Sequence, residues 1–388
     1  MRVVESSAKR PAITRDRFTW VAYLLLGYFA YLQSLQGPIM PFLRSELQLS
    51  YVMGSLHLST SAAGMVLLGL FGDRIVQWLG LRRALWGGAI GISVGAALLA
   101  IGSHVAITIL ATCMMGMIGT LLLIAQQSSL GHHQQHARAI AFTEANIVAS
   151  LCALLAPLAV GAAVELNLGW RVALLLPFPL QLLLILREGC QPVPTPPSQA
   201  HTAASARLPR RFRLFWAVAC LGVAGEWSVG FWGADYLHSV VGLPIEQAVT
   251  ALSLFFVAML LGRIIGSRLA HTIAPVLLLS GALVIGTIGV LLLWLAAMPL
   301  LSLIGLGLAG LGIGNLYPLS LAVAVETAPR SGSGIDGTND PRRWHGDLLC
   351  TTAAGELGRS GWPAPVLCAG AGLSGGGLRI DTSSSTPH

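Results

Sequence analysis

The stretch Gly69-Leu-Phe-Gly-Asp73-Arg74-Ile-Val-Gln-Trp-Leu-Gly80-Leu-Arg82-Arg83 is a short basic turn set between two long apolar runs, 51–71 and 84–102. Each run supplies the roughly 20 residues that a helix needs to cross a hydrocarbon core about 30 Å thick. Working outward from this turn, the same alternation recurs along the chain. Apolar runs at 18–36, 51–71, 84–102, 105–127, 139–163, 171–187, 213–237, 247–269, 274–297 and 299–323 are joined by polar turns, and after Arg330 the pattern stops.

Composition places the chain in a membrane. Hydrophobic residues make up 54% of the 388 residues, charged residues 10%, and the mean hydropathy is +0.73, which leaves too little polar surface for a soluble globular chain. The net charge of +7 does not imply a nucleic-acid partner, because the arginines stand in short loops without interleaved aromatics. Their placement reports topology instead. Arg2, Lys9, Arg10, Arg15 and Arg17 precede span 1, Arg74, Arg82 and Arg83 follow span 2, Arg138 follows span 4, Arg187 to Arg213 follow span 6, and Arg263 and Arg268 close span 8. All fall on one side, while the other holds Arg44 and Arg171. By the positive-inside rule, the N-terminus, central linker and tail of this multi-pass cell-membrane protein lie in the cytoplasm. The basic start and the apolar run after it resemble a signal peptide, but the run continues into Gln36-Gly37-Pro38 without a cleavage site, so it reads as span 1. The six cysteines form neither a CxxC metal spacing nor a disulfide framework.

Pro192, Pro194, Pro196 and Pro197 mark an extended linker. The expected organisation is a cytoplasmic N-terminus (1–17), a six-helix bundle (18–187), the linker (188–212), a partial second bundle of four helices (213–324) and a Gly-rich tail (325–388) whose expected state is disorder. Six spans before a central cytoplasmic loop are half of a twelve-span transporter built from two similar bundles.

The turn quoted above resembles the loop signature of the major facilitator superfamily, with five residues, Ile75 to Leu79, where the common form has fewer between Arg74 and Gly80. A second-half echo, Gly262-Arg263-Ile-Ile-Gly266-Ser-Arg268, follows span 8 without the acidic residue. Gly69 permits tight packing, Asp73 and Arg74 can pair or cap a helix end, and Arg82 and Arg83 anchor the next helix at anionic headgroups. The resemblance implies an all-α integral membrane fold of two bundles, the second incomplete, and secondary transport by alternating access. It also implies a solute site lined by spans 1, 4, 7 and 10, and a cytoplasmic gate at Gly69, Asp73, Arg74, Gly80, Arg82, Arg83, Gly262, Arg263, Gly266 and Arg268. No cofactor, metal or enzyme activity is expected; the partners are a small solute, the bilayer and, through Glu226, protons, with the chain a monomer. Span 5 carries Ala156-Pro157-Leu-Ala-Val-Gly161, an incomplete form of the Gly-Pro motif of drug antiporters, and span 4 lacks their Arg, which lowers the reading of amphipathic-compound efflux.

Within the spans, Glu226 is the residue that lipid tolerates least. It lies about 18 Å along span 7, where an ionised carboxylate costs a few kcal/mol or more unless solvated, paired or protonated. Gly222, Gly230 and Gly233 share its face, and Asp235 stands opposite, near the outer end. Span 1 carries Tyr23, Gly27, Tyr31 and Ser34 on one stripe and Gln36 at its end, which suits a sugar-like solute or, equally, helix packing. Trp227, Trp232, Asn315 and Tyr317 are further candidates for the solute pathway, with interfacial anchoring or packing as their alternative. Glu144 and Asn146, early in span 5, suit a gate or an interhelical bond. His132, His133 and His136 read as a solvated loop rather than a metal site. A membrane remnant or ligand-sensing scaffold is the competing function class.

The loss of periodicity where two more spans should begin suggests a reading-frame change near Arg330. Sequencing the gene from about codon 320 past the stop is expected to reveal two further apolar spans of about 20 residues in another frame. Their absence from every frame would make the ten-span form the genuine one.

Overall fold

The computed structural model describes residues 14–135, 137–194, 210–270, 272–295 and 298–326, and these are helical throughout apart from connecting turns. The expectations for the first residues, for 195–209 of the linker and for the tail beyond 326 lie outside the described residues.

Local chemistry sets the helix ends. Helix α1 (Arg17–Leu35) starts at Asp16, whose carboxylate accepts the Thr19 amide at 2.9 Å. A short helix, α2 (Met40–Leu47), follows with Pro41 in its first turn. Ser50 caps α3 (Tyr51–Leu79) by accepting the Met53 amide at 3.3 Å. Gly80, at φ +80°, turns the chain from α3 into α4 (Leu81–Ile101), a conformation that favours glycine. Then come α5 (Val105–His133), α6 (Arg138–Glu165), α7 (Arg171–Leu175), α8 (Phe178–Glu188), α9 (Arg210–Ser239), α10 (Ile245–Leu269), α11 (Pro275–Leu295) and α12 (Pro299–Glu326). Nine of these helices are long and apolar enough to cross a membrane.

Two features differ from the ten-run reading. The run at 171–187 is broken into α7 and α8 at Leu176-Pro177, because proline removes a backbone donor and crowds the preceding turn. Helix α2 was not anticipated; it folds from the polar connection after span 1 and buries Met40, Pro41 and Leu43.

Small residues let the helices approach closely, as expected where no water drives them together. Gly88 of α4 lies against the Leu122 backbone of α5, Gly64 of α3 against Cys113 of α5, and Gly289 and Gly312 hold α11 against α12. Some buried polar groups are matched across helices. The Tyr28 and Ser93 hydroxyls meet at 2.6 Å and both reach the Gln181 Oε1, joining α1, α4 and α8. His57 Nε2 lies 2.9 Å from the Thr108 hydroxyl, joining α3 and α5. Helices α1–α8 form one bundle and α9–α12 another. The bundles meet through α6 against α10, where Gly161 abuts Thr250, and through α2 against α9. The Gly161–Thr250 contact and the packing of α2 lie toward one end of the molecule, the α2 end; Arg15, Arg82 and Arg138 mark the opposite, basic end.

Gly87 and Gly88 are neighbours with opposite surroundings. A Cβ at Gly87 meets nothing within 4 Å, whereas one at Gly88 would lie 2.6 Å from the Leu122 amide nitrogen. Gly88→Ala is therefore expected to destabilise by about 1–3 kcal/mol, and Gly87→Ala to be neutral or stabilising by up to about 1 kcal/mol. Thermal unfolding of the two variants in detergent measures the difference.

Candidate functional site

Glu226 does not stand alone. Helices α9 and α10 run antiparallel, with Glu226 about 20 Å from the α2 end of α9 and Arg263 about 27 Å from the α2 end of α10, at 1.5 Å per residue. Side chains on a helix lean toward its N-terminus, so the two residues lean toward each other. Arg263 Nη2 reaches Glu226 Oε1 at 3.4 Å, and its Nε donates to the Gly314 carbonyl of α12 at 3.1 Å. One guanidinium thus joins α9, α10 and α12. The two side chains remain 25% (Glu226) and 35% (Arg263) exposed.

The glycines beside Arg263 serve this junction. Gly262 and Gly266 open a niche in α10 that receives Asn315, whose Nδ2 would lie 3.0 Å from a Cβ at Gly262 and whose Oδ1 abuts Gly266. Asn315 is buried and donates to the Leu311 carbonyl at 3.1 Å. The structure therefore places Gly262, Arg263, Gly266 and Asn315 on a seam between helices rather than on a loop, because α10 continues to Leu269. Arg268 is exposed.

A second ion pair ties the bundles together at the α2 end. Arg44 of α2 donates from Nη1 to Asp235 of α9 at 2.6 Å, with side-chain exposures of 15% and 7%. Its guanidinium lies 3.6 Å from the centre of the Tyr51 ring and 6.0 Å from that of Trp232. Trp232 in turn packs on Gly54 of α3, and Gly37 meets the Gly230 backbone. Beside them Gln36 donates its amide to Gln33, leaving Gln33 Nε2 and Gln36 Oε1 buried without partners. Two paired amides leave one donor and one acceptor unused whichever way they are turned. Sequence reasoning placed Gln36 and Trp232 near the solute but missed Arg44, Tyr51 and Asp235. The available signal was that Arg44 is one of two arginines on the side poor in positive charge.

At the basic end the first described residues strap across α5 and α6. Arg15 forms a two-pronged pair with Glu144, at 2.6 and 3.1 Å, and the Tyr23 hydroxyl donates to the same carboxylate. Asp16 meets His133 Nε2 at 2.6 Å, and Gln134 donates to the Thr14 carbonyl at 2.6 Å. Burial pushes the Asp16 carboxyl up, but the Thr19 hydroxyl and amide and His133 outweigh it and hold the group below the usual carboxylate range. Asp73, Arg74 and Arg83 are exposed and make no ion pair among the described residues, and Gly69 has open space around it. Arg82 donates to the Gly189 carbonyl at 2.9 and 2.5 Å, fixing α4 to the end of α8. Tyr31 is buried and donates to the Ala173 carbonyl at 2.9 Å, and Gly27 abuts Cys152, so the span 1 stripe faces α6 and α7. Trp227 is half-buried and Tyr317 is 37% exposed. His136 lies outside the described residues, and among those described no cluster of three His, Cys, Asp or Glu could hold a metal.

A family model described as Major Facilitator Superfamily matches residues 19–336. An uncharacterized MFS-type transporter of Yersinia pestis is 26% identical over 127 residues, 32% of this chain and 33% of that protein. The match thus spans about a third of that relative's length. The fold resembles a bacterial homolog to the human lysosomal transporter Spinster in an inward-facing and unoccupied conformation, with TM-score 0.65, 15% identity, and 92% of this chain and 80% of that one covered. The inward-facing and occupied conformation of a bacterial Spinster homolog gives TM-score 0.61 at 13% identity, covering 78% and 72%. These relatives are transporters, not enzymes.

If Glu226 and Arg263 compensate each other, Glu226→Gln and Arg263→Gln each leave a lone charge among apolar helices. The double variant is expected to be more stable than the sum of the single losses by a coupling of about 0.5–3 kcal/mol. Thermal unfolding of the three variants gives the cycle; strict additivity would remove the pair's energetic role.

Proposed function

This chain belongs to the Major Facilitator Superfamily, and on that premise we propose that it is a secondary transporter of a small polar organic solute, coupled to protons through Glu226. The arginine distribution supports reading the basic end as cytoplasmic, and contact between the bundles at the α2 end supports reading this as an inward-open form. The observation that carries the reading is the Glu226–Arg263 pair. Two partly exposed charges within membrane-spanning helices are tolerated where they line a water-filled cleft, and such residues mark ion and solute pathways.

Coupling follows from charge balance. Ionised Glu226 holds Arg263, and Arg263 holds the α12 backbone. A proton on Glu226 cancels that attraction and frees the guanidinium for a solute acceptor or for Gly314 alone, so protonation changes how α9, α10 and α12 are joined. On the far side, opening must separate Arg44 from Asp235 and Gly37 from Gly230. The unpartnered amide groups of Gln33 and Gln36 gain hydrogen bonds when that end is wetted, which offsets part of the cost of breaking the ion pair. Sugar-like specificity loses its support, because Tyr23 and Tyr31 are engaged inside the first bundle.

In proteoliposomes with an imposed pH gradient, Glu226→Gln is expected to reduce proton-driven solute accumulation at least tenfold while sparing solute exchange. Unchanged accumulation would sink the coupling role, and solute binding without flux in the unaltered protein would favour a sensing scaffold.

A further inference from the structure

Arg44 sits in a cage made for a cation. Asp235 supplies a carboxylate that is almost fully buried, Tyr51 supplies a ring face 3.6 Å from the guanidinium carbon, and Trp232 a second ring at 6.0 Å. A carboxylate flanked by aromatic faces is the chemistry that recognises organic cations. The cage is assembled across the bundles: Arg44 and Tyr51 come from the first, Trp232 and Asp235 from the second. Its Tyr51 wall is 54% exposed.

The occupant fills the cage incompletely. Arg44 bonds one Asp235 oxygen through Nη1 alone, and its Nε is buried without a partner. A free guanidinium, unconstrained by the α2 backbone, can present two parallel N–H groups to both oxygens. We infer that the α2 end is a recognition site for small solutes bearing a guanidinium group, and that Arg44 occupies it as a tethered surrogate. The exchange has a mechanical consequence. Arg44 on Asp235 ties the two bundles together, whereas a free guanidinium neutralises Asp235 without any link to the first bundle. Arrival of the solute therefore releases the tie while sparing the buried carboxylate a lone charge. That the solute is also carried rests on the transport reading; its binding does not.

Methylguanidinium chloride titrated calorimetrically into the purified full chain, with sodium chloride as the control for ionic strength, tests the site without any flux. Arg44→Ala empties the cage, and is expected to bind methylguanidinium saturably with a Kd at least tenfold below that of the unaltered protein. Adding Asp235→Asn or Tyr51→Ala to that variant should weaken binding at least tenfold. No saturable binding to a folded Arg44→Ala protein, or equal binding after Asp235 is neutralised, would overturn the proposal. Should Arg44→Ala fail to fold, Arg44→Met retains the apolar stem and is read against the same outcomes. Failure here leaves the Glu226 coupling untouched, and failure of proton-driven flux leaves this site untouched.

Discussion

A carboxylate in the middle of an apolar helix bundle must find a counter-charge, water or a proton, and the second bundle is arranged around that need. Glu226 finds Arg263, which also caps the α12 carbonyl at Gly314. For the guanidinium to reach both, α12 must lie close to α10, and closeness depends on Gly262 and Gly266 leaving room for Asn315. The glycines, the asparagine and the two charges are one device: small residues set the helix separation, and the separation sets which charges meet.

The two ends of the molecule are built differently. At the α2 end the bundles are joined by an ion pair, stacked rings and a glycine-to-glycine backbone contact. At the basic end the strongest polar contacts stay within the first bundle, where Arg15, Asp16, Glu144 and His133 bind the strap before α1 to α5 and α6. Asp73 and Arg74 face outward there without an ion pair among the described residues. An ion pair close to the surface is worth little, about 0–1 kcal/mol. The better-buried Arg44–Asp235 pair carries more, because breaking it leaves a poorly solvated charge. The asymmetry favours closure at the α2 end and an opening at the other.

Much of this was legible in the sequence, for reasons that also explain what was not. Hydropathy located the spans because a bilayer imposes their length and every backbone group must be satisfied within the helix. It did not show the break at Pro177, since Pro157 and Pro318 lie within unbroken helices and proline alone does not decide. Glu226 was visible as an acid where none is cheap. Arg263 looked like part of a loop, because the reach of its side chain back toward mid-depth depends on helix direction, which local pattern does not encode. The span 1 stripe was correct as periodicity, but periodicity does not say which neighbour a stripe faces, and here it faces α6 and α7. Arg44 and Asp235 are separated by 191 residues, and only the assembled bundles bring them together.

On the proposed transport reading, the Glu226–Arg263 pair lies in a water-filled cleft open at the basic end and closed at the α2 end. The most direct test is Glu226→Cys in a chain freed of its six native cysteines, reconstituted in known orientation and exposed to a membrane-impermeant thiol reagent from each side. Rapid labelling from the basic side and protection from the α2 side are expected. Labelling from the α2 side alone, or from neither, would contradict it.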